Sequence, residues 1–116
     1  MPDPIAIDAS IYRELEAAAG PEFAAELVDT FIEEAPAMLA ELRSARTAGQ
    51  ADGFRRAAHS LKSNSLTFGA MALAALAREL ELGGLASDAG REARAIDALQ
   101  AEFDRAATAL QALRHG

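Results

Sequence analysis

Glycine and proline punctuate this chain at wide intervals, and between them apolar residues recur once per helical turn. Gly20-Pro21, Gly49, Gly69 and Gly83-Gly84 are helix stops or starts. The segments they bound show no sustained period-two alternation, so no strand is predicted. Helices are predicted instead. Asp8 is a suitable N-cap for a short helix reaching about Ala19. A second helix is expected from about Pro21 to Ala48, with Ala24, Leu27, Phe31, Ala35, Met38, Leu42 and Ala45 on one seam. Pro36 lies inside it and removes the hydrogen bond to the Ile32 carbonyl, which predicts a kink. The third helix is expected from about Gln50 to Thr67 and ends at Gly69; the fourth runs from about Ala70 to Leu82 through Leu73, Leu76 and Leu80. Ser87 or Asp88 opens the last, whose seam is Ile96, Leu99, Phe103, Ala106, Leu110 and Leu113.

Four long amphipathic helices with short connections have antiparallel neighbours. The expected fold is therefore all-α, an antiparallel up-down four-helix bundle with the short N-terminal helix capping one end. At 116 residues the chain reads as one domain, 1–116. Alanine supplies 30 of those residues and aromatics only six, so the core must be built from small side chains and leucine. That suits closely packed helices better than a sheet. Nothing in the chain reads as a linker, a low-complexity tract or an internal repeat.

Several function classes drop out on composition. Without cysteine there is no disulfide, thiolate metal site or cysteine nucleophile. No apolar run approaches the roughly 18 residues of a membrane span, and no signal-peptide pattern opens the chain. A cytoplasmic protein without membrane contact is expected. The net charge of −7 argues against nucleic acid, whose phosphates demand clustered cations. One stretch departs from that bias: between Gly53 and Gly69 stand Arg55, Arg56 and Lys62, and no acid.

His59 lies in that stretch. Phe54, Ala58, Leu61, Ser65 and Phe68 form the stripe that should be buried, and His59 lies about 140° from its centre, beside Arg55, Lys62 and Leu66. Its neighbours one turn away are Arg55, Arg56, Lys62 and Ser63. A neutral imidazole nitrogen is a good nucleophile, its free pKa being about 6.5. A nearby ammonium disfavours imidazolium and would stabilise an incoming phosphoryl group. Ser63 is small and leaves space beside the ring, while Leu66 adds an exposed apolar contact. These features describe a phosphoryl acceptor with a docking surface, and the helical wheel alone fits an idle surface histidine equally. Val28, Ile32 and Leu39 flank the second helix's seam; they extend the docking surface or join the core. Only two histidines exist, and His59 has no carboxylate or histidine three or four residues on, so no metal site is expected. His115, in the C-terminal tail, has no comparable neighbours and is assigned no role.

The stretch Ala58-His59-Ser60-Leu61-Lys62-Ser63, followed by Phe68-Gly69-Ala70, Leu73, Ala77, Leu80 and Glu81, resembles the histidine-containing phosphotransfer (HPt) domains of bacterial phosphorelays. That family's pattern is a histidine, leucine two on, lysine three on, a small residue four on and glycine ten on; all five positions are met. Upstream, Phe31-Ile32-Glu33-Glu34-Ala35-Pro36 with Leu39 and Leu42, and then Phe54-Arg55-Arg56-Ala57-Ala58, look like the family's preceding helix and lead-in. The likeness covers about Ile11 to Leu82, and the last helix by periodicity alone. Many members carry glycine where this chain has Ser63, a departure that bears on how closely a partner loop approaches.

The resemblance implies a phosphocarrier without kinase activity of its own. A receiver domain's phosphoaspartate would deliver its phosphoryl group to His59, through Nε2 in this family, and His59 would pass it to a second receiver aspartate. Lys62 would support the charge, Gly69 would cap the helix, and Pro36 would shape the preceding one. Arg55, Arg56, Ser63, Leu66 and Ile32 would contact the partner. Response-regulator receivers and a hybrid histidine kinase are the implied partners. No cofactor is implied here, because magnesium belongs to the receiver's acidic pocket, and a monomer is expected. The competing readings are a helical interaction module that docks receivers without phosphotransfer and, more remotely, the dimerising helix pair of a histidine kinase.

Overall fold

The structure, a computed structural model, describes residues 6–85 and 89–114. They form five helices: α1 (Ala9–Ala19), α2 (Pro21–Ala48), α3 (Ala51–Thr67), α4 (Met71–Gly83) and α5 (Ala89–Arg114). Among the described residues there is no strand, and no helix is long and apolar enough to cross a membrane. Each of α2, α3, α4 and α5 packs beside the next, and α5 returns to α2, which closes an antiparallel ring of four. α1 lies across α2 and α3 at one end.

Local chemistry explains the helix ends. Asp8 caps α1, its carboxylate accepting from the Ser10 N–H at 3.0 Å and from the Ser10 hydroxyl at 2.6 Å. Those two bonds, the side-chain one first, lower the Asp8 pKa. Pro21 occupies the first turn of α2, where its missing N–H costs nothing. The helix then continues unbroken through Pro36, which sits on an exposed side. At the α3–α4 turn the Gly69 N–H bonds the Leu66 carbonyl at 3.2 Å and the Ala70 N–H bonds the Ser65 carbonyl at 2.9 Å. This is the Schellman arrangement, and it places Gly69 at φ +78°. A Cβ on Gly69 would lie 2.7 Å from the Asp8 carbonyl oxygen and 3.0 Å from the Ile11 Cβ. The same turn takes a hydrogen bond from the Asp8 N–H to the Gly69 carbonyl, 2.8 Å. The glycine therefore both ends α3 and lets α1 dock on the bundle's end, with Tyr12 buried beneath.

The expected stripe of α3 is buried throughout: Phe54, Ala58, Leu61, Ser65 and Phe68. Ser65, the polar member, bonds the Leu61 carbonyl at 2.6 Å and leaves no unmet group. Phe31 joins the layers, stacking on Phe68 with centroids 5.1 Å apart and meeting Phe103 edge-on at 5.7 Å. The seam of α2 differs from the expected one at two places. Val28 and Leu39 are in the core, while Leu27 and Met38 are half-buried. Both sets follow helical spacing, and the neighbours on either side of α2 decide between them. Likewise Ala77 takes the core place beside Leu73 and Leu80, and Leu76 is half-buried. The expected N-caps Ser87 and Asp88, and His115, lie outside the described residues.

Candidate functional site

Residues 59 and 81 stand eleven places either side of Ala70, in the turn that reverses the chain from α3 into α4. The antiparallel register brings them together. The Nδ1 atom of His59 lies 2.5 Å from Oε2 of Glu81, and the Nζ atom of Lys62 lies 2.6 Å from Oε1 of the same carboxylate. The three side chains differ in exposure: 59% for His59, 23% for Lys62 and 19% for Glu81. The imidazole faces solvent while its partners lie in the crease between the helices. The lysine bond first, and the histidine bond second, lower the Glu81 pKa, so the group is a carboxylate.

The charge state of Glu81 assigns the proton on the ring. A carboxylate only accepts, so Nδ1 must donate, and in the neutral imidazole the lone pair is then at Nε2. No described residue bonds Nε2. The site thus presents an exposed imidazole nitrogen with a half-buried anion behind the ring. That anion can balance positive charge on the ring when the lone pair is used.

Two expectations about charge are corrected here. Lys62 is not an ammonium reaching into solvent beside the imidazole; it is half-buried and bonded to Glu81. The wheel placed it by its position on α3 and contained no information about α4. The cationic stretch is also largely compensated. Arg55 bonds Asp52, one turn before it, at 2.7 Å. Arg56 lies on the side of α3 towards α2 and lines a hollow with Glu41, Ser44 and Gln50. Ser63 is exposed one turn beyond His59, and Leu66 is 43% exposed a further turn along.

Ile32 is not brought to this surface. It is half-buried against the core and shares its edge of α2 with Asp29 and Arg43, which pair with Arg114 and Asp97 of α5. The edge of α2 that meets α3 carries Leu27, Glu34 and Met38, which line a crevice with Asn64 and Thr67. Helical spacing gives Ile32 an angle, but only the arrangement of α3 and α5 says which neighbour that angle faces. Gly69 and Pro36 sit in the turn and in α2 as described above. Glu81 is the residue whose part in the site the spacing did not reveal. Its signal was its distance from Ala70 in the turn, equal to that of His59, which counts once the two helices are known to be antiparallel.

Comparison with known proteins identifies the family. Residues 26–115 match the family model described as "Hpt domain". The match starts later than the likeness seen in the sequence and takes in the last helix. Among solved structures, the chain is similar to the histidine-containing phosphotransfer protein B (HptB) from Pseudomonas aeruginosa PAO1. The two are 26% identical, with a TM-score of 0.83 over 97% of each chain. No curated protein matches the chain.

Proposed function

Because the chain belongs to the Hpt domain family, we propose that it is a phosphorelay intermediate whose His59 carries the phosphoryl group between receiver domains. The observation that carries this reading is the His59 ring held at Nδ1 by Glu81 with Nε2 left open. In the forward step the Nε2 lone pair attacks the phosphorus of a receiver's aspartyl phosphate. The N–P bond forms as the P–O bond to the aspartate breaks, and the electron pair departs with the carboxylate oxygen. The Nδ1 proton stays between the ring and Glu81, whose charge offsets the imidazolium that results. The second receiver's aspartate then attacks the same phosphorus, and the imidazole leaves with its electron pair restored.

Such a transfer depends on positioning and charge neutralisation, and this chain supplies both with few groups. The α3 and α4 backbones fix the ring. Lys62 keeps Glu81 ionised and in place, and its cation adds to the positive potential at the site. Magnesium is supplied by the receiver, so the chain works without a metal or cofactor of its own and without kinase activity. It works as a cytoplasmic monomer, with a hybrid histidine kinase or its receiver upstream and a response regulator downstream. Arg55, Ser63 and Leu66 border His59 and belong to the contact surface.

The test is transfer of labelled phosphate from phosphorylated receiver domains to the purified chain. Acid-labile, alkali-stable label is expected on the wild type and absent from His59→Gln. Receivers that bind the chain but never phosphorylate it would show instead a module that docks without transfer.

A further inference from the structure

The first helix is the least anchored part of the fold. α1 is 11 residues long, below the roughly 12–15 at which a lone helix begins to hold in water, so it depends on its contacts with the rest of the chain. Of its residues Tyr12 alone is buried, whereas α2 buries seven and α3 five. Ile11 and Leu15 are half-buried. The one buried anchor is also imperfect. The Tyr12 hydroxyl is enclosed, and nothing among the described residues bonds it. Burial first, and the charge of Glu16 second, push its phenol up, with Arg114 pulling the other way, so it stays a neutral donor without an acceptor. Such a group gives up its hydrogen bonds to water and gains none, which weakens the element that carries it.

A single residue, Gly20, joins α1 to α2. The Gly20 N–H bonds the Glu16 carbonyl at 2.8 Å, and its carbonyl accepts from the Ala24 N–H at 2.9 Å. Its φ of +92° is open to glycine, and nothing lies within 4 Å of where a Cβ would stand. Rotation at this one residue swings α1 without disturbing a packed neighbour of Gly20. At the other end of α1 the Asp8 N–H holds the Gly69 carbonyl at 2.8 Å, and Asp8 and Ile11 close over the bare Gly69 Cα. That second contact is with the turn that joins α3 to α4 and so sets His59 opposite Glu81.

We infer that α1 is a hinged cap, which opens about Gly20 while the four-helix ring stays folded, and that opening frees the α3–α4 turn and loosens the hold of Glu81 on His59. The opening itself follows from the fold; its effect on transfer rests on the relay reading.

Tyr12 is the one tyrosine of a chain without tryptophan, so its fluorescence reports on α1 by itself. In rising urea, acrylamide should reach Tyr12 before the far-UV circular dichroism of the ring is lost. Amide hydrogen exchange of the full chain, read residue by residue, should show α1 exchanging as a unit, about ten-fold or more faster than the core amides of α2 and α5. Tyr12→Phe deletes the unpaired hydroxyl and should slow α1 exchange by about ten-fold. Tyr12→Ala should hasten it and leave the ring folded by circular dichroism. The same variant should lower the rate at which a phosphorylated receiver labels His59 by about ten-fold. Exchange of α1 at the rate of the α5 core, or faster α1 exchange in Tyr12→Phe, would overturn the hinged cap. So would a Tyr12→Ala chain that loses the ring along with α1. Wild-type labelling of Tyr12→Ala with α1 open would sever the cap from the site. If no receiver labels the wild type, the relay reading falls and takes the effect on transfer with it, while exchange still decides whether α1 opens on its own.

Discussion

At His59 one ring nitrogen is committed and the other is open, and a single carboxylate on the next helix causes the difference. Glu81→Ala removes both the acceptor and the charge. Without them the ring loses both its fixed orientation and its balancing charge, and transfer at saturating receiver should slow roughly ten-fold. Glu81→Gln keeps an acceptor oxygen without the charge and should fall between that variant and the wild type. Initial rates of labelling distinguish the three. Acid should expose the same contact. The folded-state pKa of Glu81 is lowered, by Lys62 first and His59 second. Its contribution to stability is therefore present above the usual glutamate value of 4.5 and lost as pH falls below it, through the folded-state value. Thermal unfolding against pH should show this acid-side loss in the wild type and a weaker one in Glu81→Gln. A loss of the same size in both would place the acid sensitivity elsewhere.

Between elements, the α3–α4 turn does two jobs, and glycine substitutions can separate them from ordinary helix ends. Gly69→Ala forces a side chain into left-handed backbone and sets its Cβ against the Asp8 carbonyl. The backbone strain alone costs about 1–2 kcal/mol, and the collision adds to it. Gly83→Ala, at the end of α4 with no neighbour within 4 Å of the new Cβ, should instead be neutral or stabilise by about 0.4–1 kcal/mol. Urea midpoints measure both, and equal effects would refute the docking role of Gly69. The position of α1, the register of the α3–α4 hairpin and hence the meeting of His59 with Glu81 all depend on this one turn. The glycine was legible in the sequence as a helix stop, but the approach of α1 to it was not.

For the molecule as a whole, stability resides in the ring of helices rather than in its surface charges. Leu99 is wholly buried in the core, and Leu99→Ala should cost about 2–5 kcal/mol in chemical denaturation. Arg43→Gln removes the exposed pair with Asp97 and should change stability by no more than about 1 kcal/mol. Comparable losses in the two would mean that the core is not where the fold is held. Local sequence was enough to set the elements. Glycine and proline marked their ends, periodic apolar residues marked a buried side on each, and the spacing around His59 marked the residue that faces out. These are local properties, fixed by 3.6 residues per turn and by the conformations that each residue type permits. Which faces meet was settled by the packing of the helices. It chose Val28 and Leu39 over Leu27 and Met38, turned Ile32 towards α5, tied Lys62 to Glu81 and set Met71 opposite Leu66. A wheel gives the angle of a side chain about its own axis. The identity of its neighbour depends on how several helices pack at once, and no single segment carries that information.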